Sequence, residues 1–139
     1  METLTETRTN MQVIQDSFAE FLKGNISGII NNCTDDIVWQ SYENPIVQPS
    51  GTFRGKQGVI RFFSTLDDKI EYSNFEPKEY ICQGSNVVVL GHHTGKVKAT
   101  GKTFDHDWCM VFKLRDKLIY SYVAFVDTYE EALAFQSKN

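Results

Sequence analysis

Residues 86–114 read NVVVLGHHTGKVKATGKTFDHDWCMVFKL, and this stretch decides the fold. Apolar and polar side chains recur with a period of two over much of both halves, which predicts β-strands at Asn86–Lys98 and Thr103–Leu114. Gly101 lies between the two strands and suits a tight turn. We therefore expect the two strands to pair as an antiparallel hairpin.

Pairing Ala99 with Lys102 would set every cross-strand partner in this hairpin. One face then carries aromatic and apolar side chains, two histidines and two glycines, in the pairs Gly91–Met110, His93–Trp108, Gly95–His106 and Val97–Phe104. The other face carries His92 and the pairs Lys96–Asp105 and Thr94–Asp107, and further from the turn it is apolar, at Val88, Leu90, Cys109 and Val111. Glycines beneath large side chains indicate either a sharply curved sheet or room for a ligand.

The rest of the chain supplies helices on either side of further strands. Apolar spacing of three and four residues predicts helices, and a period of two predicts strands. Thr9 with Gln12, and Asp127 before Glu130, have the form of helix N-caps. Helices are predicted at Asn10–Lys23, Ser27–Cys33, Lys56–Leu66 and from Asp127 to about Gln136, strands at Ile37–Tyr42, Ile70–Ile81 and Leu118–Val126, and an irregular loop between Glu43 and Gly55. This order is typical of an α+β domain.

Length and composition exclude several classes of protein. The chain has 139 residues, which predicts one domain over residues 1–139 with a core at about 10–136. Its net charge of −4 argues against a nucleic-acid partner. No apolar run is long enough to span a membrane, and the polar first six residues predict no secretory signal. Three widely spaced cysteines suit a reducing compartment, so a cytoplasmic protein is expected.

Several short motifs occur in an order that resembles a known family. They are Gly24-Asn25, Thr34-Asp35-Asp36-Ile37-Val38-Trp39, Gly51-Thr52-Phe53-Arg54-Gly55, Gly58–Phe63, Thr100-Gly101-Lys102 and the hairpin from Trp108 through Arg115-Asp116-Lys117 to Asp127. Together they resemble the SnoaL-like and ketosteroid-isomerase-like branch of the nuclear-transport-factor-2-like superfamily, over about residues 10–136.

The resemblance implies a fold, an assembly and a range of functions. The fold is a cone-shaped, cystatin-like roll, in which N-terminal helices cover a strongly curved, mostly antiparallel sheet. It also implies a homodimer through the outer sheet face. The carboxylates of ketosteroid isomerases are replaced here by Ser41 and Trp108, and the catalytic set of limonene-epoxide hydrolases is also missing. Of these enzyme classes, a SnoaL-type cyclase requires the fewest specific residues, because it needs only one acid–base residue in an apolar pocket.

His93 is the leading catalytic candidate on the apolar face. A histidine among apolar residues stays neutral and can accept a proton, whereas the alternative is a structural histidine satisfied by a carbonyl or tyrosine. Ser41 or Tyr122 would donate a hydrogen bond to the substrate oxygen. The expected walls of a substrate pocket are Trp39, Phe63, Gly91, His106, Trp108 and Met110, and for Phe63 and Met110 plain core packing is the stronger interpretation.

A metal and a cofactor are not expected. His93 and His106 could converge, but a catalytic zinc ion needs a third protein ligand and this face offers no carboxylate. His106 is expected at the rim, and His92 outside. The sequence thus predicts a protein that binds a small apolar organic molecule. If it is catalytic, the expected activity is proton transfer, as in an isomerase or cyclase. The alternative is a ligand carrier or a structural dimerisation module.

Overall fold

The computed structural model describes residues 8–136, which form helices and one sheet. The first six residues, on which the expectation of no secretory signal rests, lie outside this range. No helix in residues 8–136 is long and apolar enough to cross a membrane. The elements are α1 (Asn10–Leu22), α2 (Ile26–Ile30), β1 (Cys33–Ser41), β2 (Gly51–Arg54), α3 (Gly55–Lys69), β3 (Ile70–Gln83), β4 (Asn86–Val97), β5 (Thr103–Arg115), β6 (Leu118–Phe125) and α4 (Thr128–Phe135).

The six strands form one curved, unclosed sheet in the order β2-β1-β6-β5-β4-β3. Only the β1–β6 contact is parallel among these pairs, and the others are antiparallel. The predicted α+β roll is confirmed. Strand β2 was missed because its four residues follow Pro49 inside a segment rich in turn residues, too short for a period to be visible.

The helices cover the inner face of the sheet and bury their apolar side chains there. Thr9 caps the N-terminus of α1, as predicted: its hydroxyl accepts a hydrogen bond from the Gln12 backbone N–H, and the Gln12 side chain accepts one from the Thr9 N–H. Phe18 of α1 stacks on Trp108 of β5 with ring centroids 5.8 Å apart. At the other end, α4 closes a smaller cluster in which Ala134 packs with Phe104 and Val97.

The β4–β5 hairpin has the predicted faces but not the predicted partners. His93 lies opposite His106, Gly91 opposite Trp108 and Lys96 opposite Thr103, which is a shift of two residues. A shift of two leaves every side chain on its face, whereas a shift of one would have exchanged the faces.

Contacts outside the hairpin explain the shift. The Lys98 N–H donates to the Lys69 carbonyl at 2.9 Å, and the Thr100 hydroxyl donates to the Ala134 carbonyl of α4 at 2.6 Å. These bonds draw residues 98–102 into a longer loop.

The outer face of the hairpin is arranged around His92. The predicted Lys96–Asp105 pair is wrong: Asp105 instead accepts a hydrogen bond from Thr94 at 2.6 Å and lies 2.6 Å from Nε2 of His92. Nδ1 of His92 lies 2.7 Å from Asp107. Both hydrogen bonds to these carboxylates, with Asp107 first, raise the pKa of His92. His92 points outward, as predicted.

Further from the turn, the outer face is apolar as predicted. Leu90 and Phe125 keep 36% and 42% of their surface exposed, and Val88, Val111 and Val123 are half-buried between them. This patch spans strands β4, β5 and β6.

Candidate functional site

A cavity of about 90 Å³ lies between the helices and the inner sheet face. Its walls are mainly aromatic and aliphatic, which is typical of small-molecule sites. Six residues of the predicted set line it: Trp39, Ser41, Phe63, His93, Met110 and Tyr122. Gly91, His106 and Trp108 lie outside its walls.

The glycines do not leave space for a ligand. A Cβ atom on Gly91 would lie 2.5 Å from the Glu76 carbonyl and would collide with the Trp108 ring. A Cβ atom on Gly95 would meet the Phe104 ring at 2.6 Å. The glycines therefore allow large side chains of β5 to lie flat on β4 and leave no room for a ligand, which was one of the two interpretations that the sequence left open.

A larger surface groove of about 750 Å³ lies next to the cavity. The two spaces share one wall, formed by Phe21, Phe63, Leu66, Ile70 and Tyr72. A cavity that holds benzene measures about 150 Å³, so a ligand of one ring or more needs this wall to move.

The polar end of the cavity is a cluster of three side chains: His93 of β4, His106 of β5 and Glu131 of α4. They are 3%, 7% and 6% exposed. His106 Nε2 lies 2.8 Å from Glu131 Oε2, His93 Nε2 lies 3.4 Å from the same oxygen, and the two Nε2 atoms are 3.3 Å apart. His93 and Glu131 reach the cavity wall, and His106 lies behind them. The expectation that His106 lies at the rim is wrong, because the register shift places it directly opposite His93.

Two contacts hold Glu131 in this place. The Asp127 carboxylate caps α4 by accepting from the Glu130 backbone, as the sequence predicts. The Glu130 side chain makes the second contact, to strand β5 of the sheet. Its Oε2 accepts a hydrogen bond from the Asp105 N–H at 2.8 Å. Because Asp105 adjoins His106, this bond brings Glu131 to the histidine pair.

Glu131 is the residue that sequence reasoning missed. The expectation that no carboxylate joins the two histidines is wrong, since the carboxylate comes from a helix and not from the sheet face. A signal was present: Glu131 shares one helix face with Ala134 and Phe135, at a spacing of three and four residues. A glutamate on the apolar face of a short helix predicts a buried carboxylate with a partner.

Burial and hydrogen bonding set the charges of the cluster. Burial lowers the pKa of His93 and outweighs the opposing effect of Glu131. Burial also disfavours charged His106, but its hydrogen bonds to Glu131 and to the Asp107 carbonyl raise its pKa overall. Burial alone would raise the pKa of Glu131, and the hydrogen bonds from His106 and His93 lower it. At pH 6.5 these directions favour a neutral His93 beside an ion pair of Glu131 and His106.

Hydrogen bonding also distinguishes the two nitrogens of each imidazole ring. His106 Nδ1–H donates to the Asp107 carbonyl at 2.9 Å, so Nε2 faces the cluster. In neutral His93 the nearby carboxylate favours a proton on Nε2. His93 Nδ1 is buried without a hydrogen-bond partner and is then the free acceptor of the ring.

Hydrogen-bond donors lie along the same cavity. Burial, together with the negative charge of Glu131, raises the pKa of Tyr122, so its hydroxyl stays protonated. Trp39 stacks on Tyr122 with centroids 3.8 Å apart, and its Nε1–H is buried without a partner. Ser41 lies on the same wall. These groups can donate to an oxygen atom of a bound molecule.

A curved, unclosed sheet with helices over its inner face is the architecture of the nuclear-transport-factor-2-like fold. The chain belongs to the SnoaL-like domain family, whose model matches residues 14–122. No curated protein matches the chain.

Solved structures share the fold over nearly the whole chain. A nuclear-transport-factor-2-like protein from Burkholderia xenovorans LB400 is 32% identical, with 91% of this chain and 95% of that one covered and a TM-score of 0.82. TerC, co-crystallised with polyporic acid, is 25% identical over 92% of this chain and 98% of its own, with a TM-score of 0.79. A candidate SnoaL-like polyketide cyclase from Mesorhizobium loti shares the fold at 15% identity, a TM-score of 0.71 and coverage of 85% and 99%.

Proposed function

We propose that this protein binds a small, largely apolar carbonyl compound in its cavity and acts on it by proton transfer, as an isomerase- or cyclase-like enzyme. One observation carries the proposal. The walls of the cavity are almost wholly apolar, and the His93–Glu131 pair supplies a buried acid–base group at one end. Such a combination is the usual form of a site that binds an organic molecule and moves one of its protons.

The chemistry follows from the hydrogen bonds of His93. Its Nδ1 accepts a proton from the carbon next to the substrate carbonyl, and the electron pair of that C–H bond moves to form an enolate. Tyr122 or Ser41 donates a hydrogen bond to the enolate oxygen. Glu131 stabilises the imidazolium that forms, and His93 then returns the proton to a carbon of the substrate.

The relatives support a ligand of this kind. TerC was crystallised with polyporic acid, and a neighbour of the same fold is a candidate polyketide cyclase. The free state of all three cysteines fits a reducing compartment, so we also propose the cytoplasm as the location.

Deuterium exchange tests the proposal without knowledge of the product. Enolisable aromatic ketones are incubated with the protein in D₂O, and loss of the α-proton of each ketone is followed by NMR. His93→Ala should slow exchange by about 10²–10⁴-fold, because general-base catalysis typically accelerates a reaction by that factor. Ligand binding, measured by native mass spectrometry, should stay nearly intact.

A matched control is His92→Ala, which removes the neighbouring histidine from the outer face and should leave exchange unchanged. Equal exchange in the His93→Ala variant and the unmodified protein would overturn the assignment of His93.

The second candidate function is a ligand carrier or a dimerisation module. The apolar outer patch around Leu90 and Phe125 favours it, since a second copy of the chain would cover that patch. Retention of a ligand without exchange on any compound would identify a carrier. If the protein neither retains a ligand nor catalyses exchange, the dimerisation module is the candidate function that remains.

A further inference from the structure

We propose that His93, His106 and Glu131 form a binding site for one divalent transition-metal ion, for which Zn²⁺ is the probe. This inference goes beyond the proposed function and does not depend on it. Two imidazoles and one carboxylate are a ligand set that zinc uses in proteins. Each residue offers one ligand atom, and the three atoms lie within 4.8 Å of one another.

Distances between the three atoms fit a shared cation better than hydrogen bonds alone. The His93 Nε2–His106 Nε2 distance is 3.3 Å and the His93 Nε2–Glu131 Oε2 distance is 3.4 Å. Both are longer than a usual N–H···O bond of about 2.7–3.2 Å. Ligand atoms about 2.0–2.1 Å from a tetrahedral zinc ion lie about 3.3 Å from each other. Only the His106–Glu131 edge, at 2.8 Å, has the length of a hydrogen bond.

The ligand atoms are also oriented as a metal site needs them. Metal-binding histidines usually donate their second N–H to a carbonyl or carboxylate, which turns the free lone pair toward the metal. His106 does this through Nδ1 and the Asp107 carbonyl, at 2.9 Å. Without the protons on the two Nε2 atoms, three electron-rich atoms would face one another in a buried space, and a cation bound between them would take the place of those protons.

The three ligands come from β4, β5 and α4, so their positions are set by packing of the whole domain. His93 and Glu131 also line the cavity, which leaves the fourth ligand position on the cavity side. A cation at His93 Nε2 requires a proton on Nδ1 in a neutral ring. His93 then donates at Nδ1 and no longer accepts, so a bound metal would suppress the proposed proton abstraction.

Calorimetric titration of the EDTA-treated protein with ZnCl₂ tests the site. We expect one Zn²⁺ per chain. Glu131→Gln and His106→Gln should each weaken binding by at least about 100-fold, since even outer contacts of a metal site contribute 10–100-fold. His92→Gln is the matched control, because it removes a histidine that lies outside the cluster, and it should bind zinc like the unmodified protein.

A second measurement needs no variant. Zinc added to the unmodified protein should shift the ring ¹⁵N signals of His93 and His106 and leave those of His92 in place. Absence of saturable binding, or a shift of His92 alone, would overturn the inference. Exchange is measured on the EDTA-treated protein. Zinc binding by a protein whose metal-free form shows no exchange would uphold the metal site and reject the proposed function, whereas exchange without zinc binding would do the reverse.

Discussion

Glu131→Ala lowers the free energy of unfolding by about 3 kcal/mol, because it removes one partner of a buried ion pair. Glu131 and His106 are both nearly inaccessible to solvent, and their closest atoms are 2.8 Å apart. His106 would be left with its charge uncompensated. It escapes part of that penalty by losing its proton, which places the effect at the lower end of the 3–5 kcal/mol range usual for such changes. Urea unfolding monitored by circular dichroism gives the value.

The size of this effect should depend on pH. The pKa of folded Glu131 is lowered from 4.5, so its contribution is complete above that pH and is lost as the pH falls through the folded value. The pKa of folded His106 is raised from 6.5, so its contribution is complete below 6.5 and is lost as the pH rises through the folded value. The loss on substitution should thus be greatest between pH 4.5 and 6.5.

Glu130→Gln is the control for this variant. Glu130 precedes Glu131 in the same helix, and its amide counterpart can still accept the hydrogen bond from the Asp105 N–H. We expect its free energy of unfolding to change by less than about 0.5 kcal/mol, as for most surface substitutions. If Glu131→Ala were equally mild, the pair would not be a buried ion pair.

Gly91→Ala destabilises the protein by about 3 kcal/mol, the upper end of the usual range for an overfilled core. The added Cβ would lie 2.5 Å from the Glu76 carbonyl and would collide with Trp108. The carbonyl belongs to the neighbouring strand β3 and cannot rotate away, and Trp108 is held by Phe18 and Phe75. The same unfolding experiment measures the loss.

Gly28→Ala in helix α2 is the matched control. The three atoms nearest to its Cβ would all belong to the Glu20 side chain, at 2.6 Å or more, and that flexible side chain can move. The gain in helix propensity, about 1 kcal/mol, offsets the rearrangement. A Gly91→Ala protein as stable as the Gly28→Ala protein would contradict the packing explanation. It would favour the alternative that Gly91 leaves room for a ligand.

Local patterns predicted most of the fold. The Thr9 and Asp127 caps and the faces of the hairpin depend on residues within a few positions of each other, and each is confirmed. The hairpin partners were wrong by two residues, because bonds from Lys98 to Lys69 and from Thr100 to Ala134 lengthen the loop. Those partners are 29 and 34 residues away in the chain, beyond any local pattern.

The site was half predictable for the same reason. Alternation in β4 placed His93 on the inner face, and the structure brings it to the cavity with Trp39 and Tyr122. The partners of His93 could not be predicted from local patterns. His106 depends on the register, and Glu131 depends on how α4 packs against β5 through Glu130. Long-range packing forms the cluster, and the cluster gives the buried His93 its acid–base partners.

The most direct measurement follows the three histidine ring signals of the EDTA-treated protein against pH by NMR. Our account predicts that His93 titrates below 6.5 and that His106 and His92 titrate above it. Glu131→Gln should lower the midpoint of His106 and leave that of His92 unchanged. Three histidines that titrate together near 6.5, or a His106 midpoint indifferent to Glu131, would contradict the claim that His93, His106 and Glu131 form one acid–base cluster.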